Sequence, residues 1–424
     1  MRTLAEWLAL QESVHPKSID MGLERVASVA RALGVDRPSS KVITVGGTNG
    51  KGSTVAHLDA LLHAVGASTG MFTSPHFIRY NERIRVGGVE VGDEELVDAF
   101  ERIEQARGST TLTFFEYNAL AALLIFADRK VDVAILEVGL GGRLDAVNLV
   151  DADVAVVCSI GFDHRDYLGN SLEQIGAEKA GIFRADRPTV LSTPDMPQSV
   201  YSTIQRLGAH AIVAERDFSW RVDADGSSDG SWEYHGLSVN LGDLPASALK
   251  GSIQYRNASA SLAAIEALGG YTLNEQAVRE ALHTVRLAGR FQIVPGPVEW
   301  ILDIAHNEPA ARVFAEHVRQ RPLSGEGRTY AVVGILADKD AREIVSALEP
   351  LVDHWVLCSL SGPRGSSASE LAARIRLSDD EVTLATSVEE GCEIARAAAV
   401  PGDRVIVFGS VYTVGPALEW LGGV

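Results

Sequence analysis

Within the nine residues Gly46-Gly47-Thr48-Asn49-Gly50-Lys51-Gly52-Ser53-Thr54, four glycines, one lysine and a pair of hydroxyls follow directly on the strand-like run Val42–Val45. Such a segment is built to hold a triphosphate. Glycines let successive backbone N–H groups approach phosphate oxygens, and the lysine offsets their charge. A helix starting near Lys51 then directs the positive end of its dipole at the anion. The spacing departs from the common phosphate loop, because Gly52 stands between Lys51 and Ser53. A ligand-free glycine-rich turn is the bland alternative.

Other chemistry-bearing residues fall where strands are expected to end. The run Val131–Leu136 closes on Glu137 and continues as Val138-Gly139-Leu140-Gly141-Gly142-Arg143-Leu144-Asp145, and the run Val154–Ile160 leads into Gly161-Phe162-Asp163-His164. Ligands of open α/β sheets gather at the carboxyl ends of strands. Glu137 and His164 are therefore expected beside the phosphate loop with a divalent metal between them. Magnesium prefers oxygen, so Asp163 competes with His164 for that role, and Glu137 also reads as half of a surface ion pair. Ser74, in Thr73-Ser74-Pro75-His76, offers a hydroxyl to a metal or a phosphate, or serves only as turn chemistry. Lys179 lies near the end of a helix that starts around Ser171, and its spacing alone makes it a partner of the helix dipole. Asp303-Ile304-Ala305-His306-Asn307 gathers a carboxylate, an imidazole and an amide at a further strand end. Asp303 suits ribose hydroxyls, while Asn307 before Glu308-Pro309 also reads as a helix N-cap. Arg290 is a candidate phosphate clamp.

These groups need a scaffold, and 424 residues exceed what one core usually supports, so two domains are expected. Apolar runs alternate with amphipathic stretches: Val42–Val45, a helix from about Lys51 to Val65, then Val131–Val138 and Val154–Ile160. The fold class is α/β, with a phosphate-loop domain on a mostly parallel sheet over residues 1–288. Between Asp217 and Leu241 the pattern changes to Trp220, Trp232 and Tyr234 with turns at Asp225-Gly226 and Asp229-Gly230, which predicts a small antiparallel excursion. Two helices follow, Gln254–Leu268 and Asn274–Val285. Residues 289–297, with Pro295-Gly296-Pro297, read as a hinge. A smaller Rossmann-like α/β domain over 298–424 is expected from strands at Trp300–Ile304, Tyr330–Ile335, His354–Ser359 and Arg404–Phe408.

Composition narrows the function. With 38 basic against 56 acidic residues the formal charge is −18, which argues against general binding of nucleic acid or anionic membranes. Cys158, Cys358 and Cys392 are scattered without metal-ligand spacing, which fits a reducing cytoplasm. The N-terminal run carries Glu6 and reads as neither signal peptide nor membrane span.

Several segments together resemble the folylpolyglutamate synthases of the Mur ligase superfamily, in particular the bacterial bifunctional dihydrofolate synthase/folylpolyglutamate synthases. They are Lys17–Val26, Gly47–Ser53, Ser74-Pro75-His76, Phe115-Glu116, Glu137–Asn148, Asp163-His164, Glu178–Ile182, Gly289-Arg290-Phe291, Asp303–Asn307 and Gly409-Ser410. The family's own loop, Gly-Thr-Asn-Gly-Lys-Gly-Ser, accounts for the displaced hydroxyl. The resemblance implies an ADP-forming ligase that adds L-glutamate to dihydropteroate and to reduced folates through an acyl phosphate. It implies that Gly47, Thr48, Asn49, Gly50, Lys51, Gly52, Ser53 and Thr54 hold ATP, and that Ser74, Glu137 and His164 hold magnesium. Lys179 then corresponds to a carbamylated lysine bridging a second magnesium, which overturns its reading as a dipole partner. Arg290, Asp303, His306 and Asn307 would face nucleotide and glutamate, His306 in a catalytic role, with Ser410 beside the substrate. Ile19, Gly22 and Arg25 resemble the pterin-side loop, and Phe115, Arg143 and Asp145 complete the folate bets. A monomer acting on small molecules is implied. Three alternatives stand beside this reading. They are a folylpolyglutamate synthase alone, a Mur-type ligase adding an amino acid to a cell-wall precursor, and an ATP-hydrolysing switch. The pterin-side signatures and the lack of an opening uridine-nucleotide domain weigh against the second, and glutamate dependence of ADP release would distinguish the third, because a switch does not need that amino acid.

Overall fold

Val42 and Ile43 open the first strand and point to opposite faces of a sheet, each into its own apolar core. The neighbouring strand repeats the alternation, with Val133 and Ile135 on one face and Ala134 and Leu136 on the other. Strands buried on both faces need helices on both sides, which is why their sequences read as continuous apolar runs. The computed structural model describes residues 2–17, 19–222, 230–323, 325, 327–362 and 364–422.

The strands are β1 (Lys41–Gly46), β2 (Thr69–Phe72), β3 (Ile84–Val86), β4 (Val89–Glu90), β5 (Val133–Glu137), β6 (Val154–Val157), β7 (Pro188–Leu191), β8 (His210–Val213), β9 (Ser219–Val222), β10 (Trp232–His235), β11 (Asn240–Leu244), β12 (Gln292–Val294), β13 (Glu299–Asp303), β14 (Thr329–Val333), β15 (His354–Cys358), β16 (Val382–Ala385) and β17 (Arg404–Phe408). Contacts divide the chain into a first unit, Met1–Ala248 with Gln254–Val285, and a second, Leu249–Ile253 with Arg286–Val424.

The first unit carries an eight-stranded sheet in the order β4-β3-β2-β5-β1-β6-β7-β8. From β2 to β8 neighbours run parallel, and the edge pairs β2–β3 and β3–β4 are antiparallel. Strand β1 lies between β5 and β6, so the loop after β1 emerges flanked by the ends of the other two. Helix Lys51–Ala64 covers one face together with Ile253–Leu268 and Glu275–Thr284; helices Leu4–Val14, Glu24–Leu33, Asp93–Arg107 and Phe114–Arg129 cover the other. The expected antiparallel excursion is a separate three-stranded sheet, β11-β10-β9. The turn expected at Asp225-Gly226, and Asp229 of the next one, lie outside the described residues.

The second unit holds a six-stranded sheet in the order β12-β13-β17-β14-β15-β16, parallel except for the β12–β13 pair. Here one expectation is corrected. Residues 289–297 are not a linker: they include β12, and Pro295-Gly296-Pro297 forms the turn of the β12–β13 hairpin. Proline and glycine punctuate a hairpin turn as readily as a domain boundary, and composition does not distinguish the two.

Candidate active site

Gly47 adopts φ +138, and a Cβ there would come within 3.0 Å of the Cys158 amide nitrogen, so the loop after β1 runs against the end of β6 with no room for a side chain. The two loops are stitched together. Thr48 N donates to Ser159 O at 2.7 Å, Gly161 N donates to Thr48 Oγ1 at 3.0 Å, and Asn49 N donates to Ser159 Oγ at 3.1 Å. Gly50, at φ +93, is the N-cap of helix Lys51–Ala64 and supplies no side-chain cap, leaving the helix's first N–H groups to another acceptor. The first turn carries no acidic residue, as an anion site requires.

Two lysines meet on this loop. Lys51 Nζ donates to Gly47 O and Thr48 O, both at 3.1 Å, and Lys179 Nζ donates to the same Gly47 O at 2.9 Å. Burial, with the charge of Lys51 second, pushes the Lys179 ammonium down to about 7, against the pull of Asp163 and Asp145. Both effects favour the neutral amine over the ammonium relative to an exposed lysine. The lysine read first as a solvated helix-end partner is in fact buried.

Glu137 ends β5 and is buried, and one of its oxygens accepts the Ser74 amide at 3.2 Å, which brings the serine to the carboxylate. His164 lies three residues beyond Gly161 at φ +48, on the loop bound to Thr48. A carboxylate, a hydroxyl and an imidazole thus come from three loops at one edge of the sheet. Among the described residues no three His, Cys, Asp or Glu side chains gather as a metal centre, which this mixed set does not require.

The remaining expected residues of the first unit form a second group. Arg25 donates to Glu116 at 3.1 Å and to the Asp20 backbone carbonyl at 3.0 Å, and it pairs with the Asp20 carboxylate at 2.8 Å. It thereby fastens the Ile19–Gly22 segment to helix Phe114–Arg129. A Cβ at Gly22 would meet nothing within 4 Å, so sterics do not demand glycine there. Phe115 lies over the next loop, since a Cβ on Gly139 would fall 2.6 Å from its ring. Asp145 is buried, accepts Leu140 N at 2.8 Å and Val147 N at 3.0 Å, and is raised to about 6 by burial. Its carboxylate shapes the 139–147 loop. Arg143 is turned to Glu178, with Nη2 at 2.8 Å and Nε at 3.1 Å.

In the second unit three neighbouring parallel strands end together. Asp303, at the end of β13, accepts Phe291 N and Ala305 N, each at 2.8 Å, and burial raises its pKa against the pull of Arg290. His306 Nδ1 lies 2.9 Å from Ile304 O, so that nitrogen carries a proton. Asn307 is the N-cap of helix Glu308–Arg319, its Oδ1 accepting Ala310 N at 3.0 Å. The cap reading therefore holds. Ser410, after β17, is buried with its hydroxyl 2.9 Å from Thr413 Oγ1.

Residues 45–265 match the Mur ligase middle domain and residues 289–411 the Mur ligase glutamate ligase domain. The chain is 42% identical over 416 residues to the dihydrofolate synthase/folylpolyglutamate synthase of Escherichia coli, covering 98% of this chain and 95% of the relative. The chain belongs to the Mur ligase family. Within it, the chain falls among the dihydrofolate synthase/folylpolyglutamate synthases, at 32% identity to the Mycobacterium tuberculosis member over 95% of this chain and 91% of that one. The fold agrees with the E. coli enzyme solved in complex with DHPP and ADP, at TM-score 0.93 and 41% identity over 100% and 98% of the two chains. It also agrees with a bifunctional folylpolyglutamate synthase/dihydrofolate synthase solved with Mn, AMPPNP and L-glutamate, at TM-score 0.91 and 40% identity over 99% and 98%.

Membership in this family gives weight to groups that the sequence reading did not place at the site. Asn257, on helix Ile253–Leu268, has a buried Oδ1 without a hydrogen-bond partner among the described residues, and a Cβ on Gly50 would lie 3.1 Å from it. Arg256 beside it has a buried Nε that is equally orphaned. Buried polar atoms without partners are uncommon, and here they adjoin a phosphate cradle. Nothing local marks them in sequence, since some 200 residues separate them from the loop.

His57 is the cradle's support. It is 1% exposed on the phosphate-loop helix, with Nδ1 2.8 Å from Ser53 O and Nε2 2.9 Å from Ser247 Oγ. Burial lowers its pKa to about 4 from 6.5. A depressed histidine contributes stability that is complete above 6.5 and lost as pH falls towards 4, here about 3 kcal/mol. Denaturant titrations at pH 7 and pH 4.5 should show wild type losing more than His57→Gln; equal losses would remove His57 from the acid response.

Proposed function

We propose that this chain joins the amine of L-glutamate to the carboxylate of dihydropteroate and of reduced folates, with ATP converted to ADP and phosphate. The observation that carries the reading is the meeting of Lys51 and Lys179 on the Gly47 carbonyl, at the strand edge where Glu137 also ends. That edge is a cationic cradle beside a carboxylate. The acceptor carboxylate attacks the γ-phosphorus, ADP leaves, and an acyl phosphate forms. The glutamate amine then attacks the acyl carbon, phosphate departs, and the new nitrogen gives up a proton. The anions that must meet repel one another, so the residues Gly47 to Thr54 serve to hold the triphosphate with backbone N–H groups and Lys51 while the acceptor approaches.

Ser74, Glu137 and His164 fit a divalent ion, the first two as oxygen donors, and such an ion supplies charge neutralisation on the phosphates. Lys179 is assigned as a carbamate: its neutral amine would add carbon dioxide, lose a proton, and gain an oxygen donor for a second ion, a reading its burial beside Lys51 supports. Asn257 and Arg256 are added to the nucleotide set. Asp303, Arg290 and Asn307 of the second unit are assigned to nucleotide, and His306 and Ser410 to glutamate. Ile19, Gly22, Arg25, Phe115, Arg143 and Asp145 are assigned to the pterin side, Asp145 and Arg143 by shaping the loop. A monomer in a reducing cytoplasm suits three cysteines that are all free and buried. No helix among the described residues is long and apolar enough to cross a membrane.

The test is mass spectrometry of products, with ADP release, after incubation with magnesium-ATP, glutamate, and either dihydropteroate or a reduced monoglutamyl folate. A gain of one glutamate on both acceptors is expected. Gain on the folate alone would reduce the reading to a polyglutamylating enzyme, and ADP release without an adduct would overturn it.

A further inference from the structure

The loop that carries His164 presents an unusual surface. Phe162 is 42% exposed and Tyr167 51% exposed, two large aromatic rings left at the surface on either side of the histidine. The Arg165 guanidinium sits 4.7 Å from the Phe162 ring centroid, within cation–π range. Among the described residues it has no carboxylate partner. That is notable in a chain with 56 acidic residues. Arg25 and Arg143, by contrast, are paired, Arg25 with Asp20 and Glu116 and Arg143 with Glu178. The far end of the same short helix, Arg165–Leu168, is tied to the acceptor side: a Cβ on Gly141 would lie 3.0 Å from Leu168 and 3.2 Å from Met21. Arg165 therefore stands between the metal-side histidine and the loop assigned to the pterin.

We infer that Arg165, held over Phe162, receives the α-carboxylates of the glutamyl tail on the acceptor, with Tyr167 bordering the same path. The inference rests on the proposed ligase reading and deepens it. Dihydropteroate brings one carboxylate, the one that reacts. Each γ-linked glutamyl residue adds one free α-carboxylate, the last of them on the residue that also carries the reacting γ-carboxylate, so a longer acceptor carries more negative charge onto an acidic protein. An exposed guanidinium next to His164 offsets that charge. It can serve tails of different length because its side chain is exposed, and the ring beneath limits its rotamers, so less freedom is lost on binding. Dihydropteroate, which lacks a tail, has no group for it.

The experiment compares full-length wild type with Arg165→Gln, Arg165→Lys and Phe162→Leu, using dihydropteroate and reduced folates bearing one, two and three glutamates. In Arg165→Gln the ratio of kcat/KM for the triglutamyl acceptor to that for dihydropteroate should fall about 5- to 10-fold through KM. Lysine should restore part of it, leucine at 162 should give a smaller fall, and added salt should shrink the wild-type preference. An unchanged ratio in Arg165→Gln, with wild type active on every acceptor, would overturn the assignment while leaving the ligase reading intact. Wild type inactive on every acceptor, dihydropteroate included, would overturn the ligase reading instead. Matching thermal unfolding of the variants separates either result from misfolding.

Discussion

Lys51→Ala should abolish measurable ADP formation, lowering kcat/KM by roughly 10²–10³-fold or more. The expectation rests on how little else the side chain does. Among the described residues its ammonium donates to the loop carbonyls of Gly47 and Thr48 alone, two bonds that a phosphate can replace. Alanine favours the helix start at which it would stand. The strand, the loop stitching through Thr48 and Ser159, and the His57 support do not involve Lys51, so folding should survive. A coupled ADP assay checks the activity and a thermal melt checks the fold. Retention of a tenth of the wild-type rate in a folded variant would refute the phosphate-cradle assignment.

The second large effect is expected at Lys179. Lys179→Ala should cut turnover by roughly 10²-fold or more, and millimolar acetate or formate should recover part of it. An ordinary buried lysine would be a poor candidate for chemical rescue by an acid. Here burial and the Lys51 charge lower the pKa of the group and so favour the free amine that carbamate formation needs. The substitution opens a void next to Gly47 O, and a small carboxylate fits both the space and the charge that a carbamate would bring. Wild type prepared without carbon dioxide should regain activity on adding bicarbonate, whereas the alanine variant should not. Rescue by chloride as good as rescue by acetate would point to filled space or charge alone and remove the carbamate assignment.

The glycine-rich turn between β1 and the helix that begins at Lys51 was legible because its signal is local: glycines, lysine and hydroxyls fall at consecutive positions after an apolar run. The positions of Glu137 and Asp303 at strand ends were legible for a related reason, since each closes an apolar run, while His164 follows its run by a short loop. The resemblance to folate ligases joined these pieces into one reaction, which spacing alone leaves open. Spacing misled at Lys179, where a helix-end lysine looks solvated until the helix is seen buried against the loop. It misled again at Pro295-Gly296-Pro297, where a hairpin turn has the composition of a hinge.

The sequence by itself determined the α/β class, the glycine-rich turn after the first strand and the strand-end carboxylates, because periodicity and short motifs are encoded within a few residues. Only the tertiary structure decided that Lys51 and Lys179 share one carbonyl, that Arg25 closes on Glu116, that Asn257 lies under Gly50, and that Arg165 rests on Phe162 without a carboxylate. The physical reason is distance along the chain. Strand order β5-β1-β6 brings residues 47, 137 and 158 to one edge. Burial then sets their protonation and their partners, and neither order nor burial is written in any single segment.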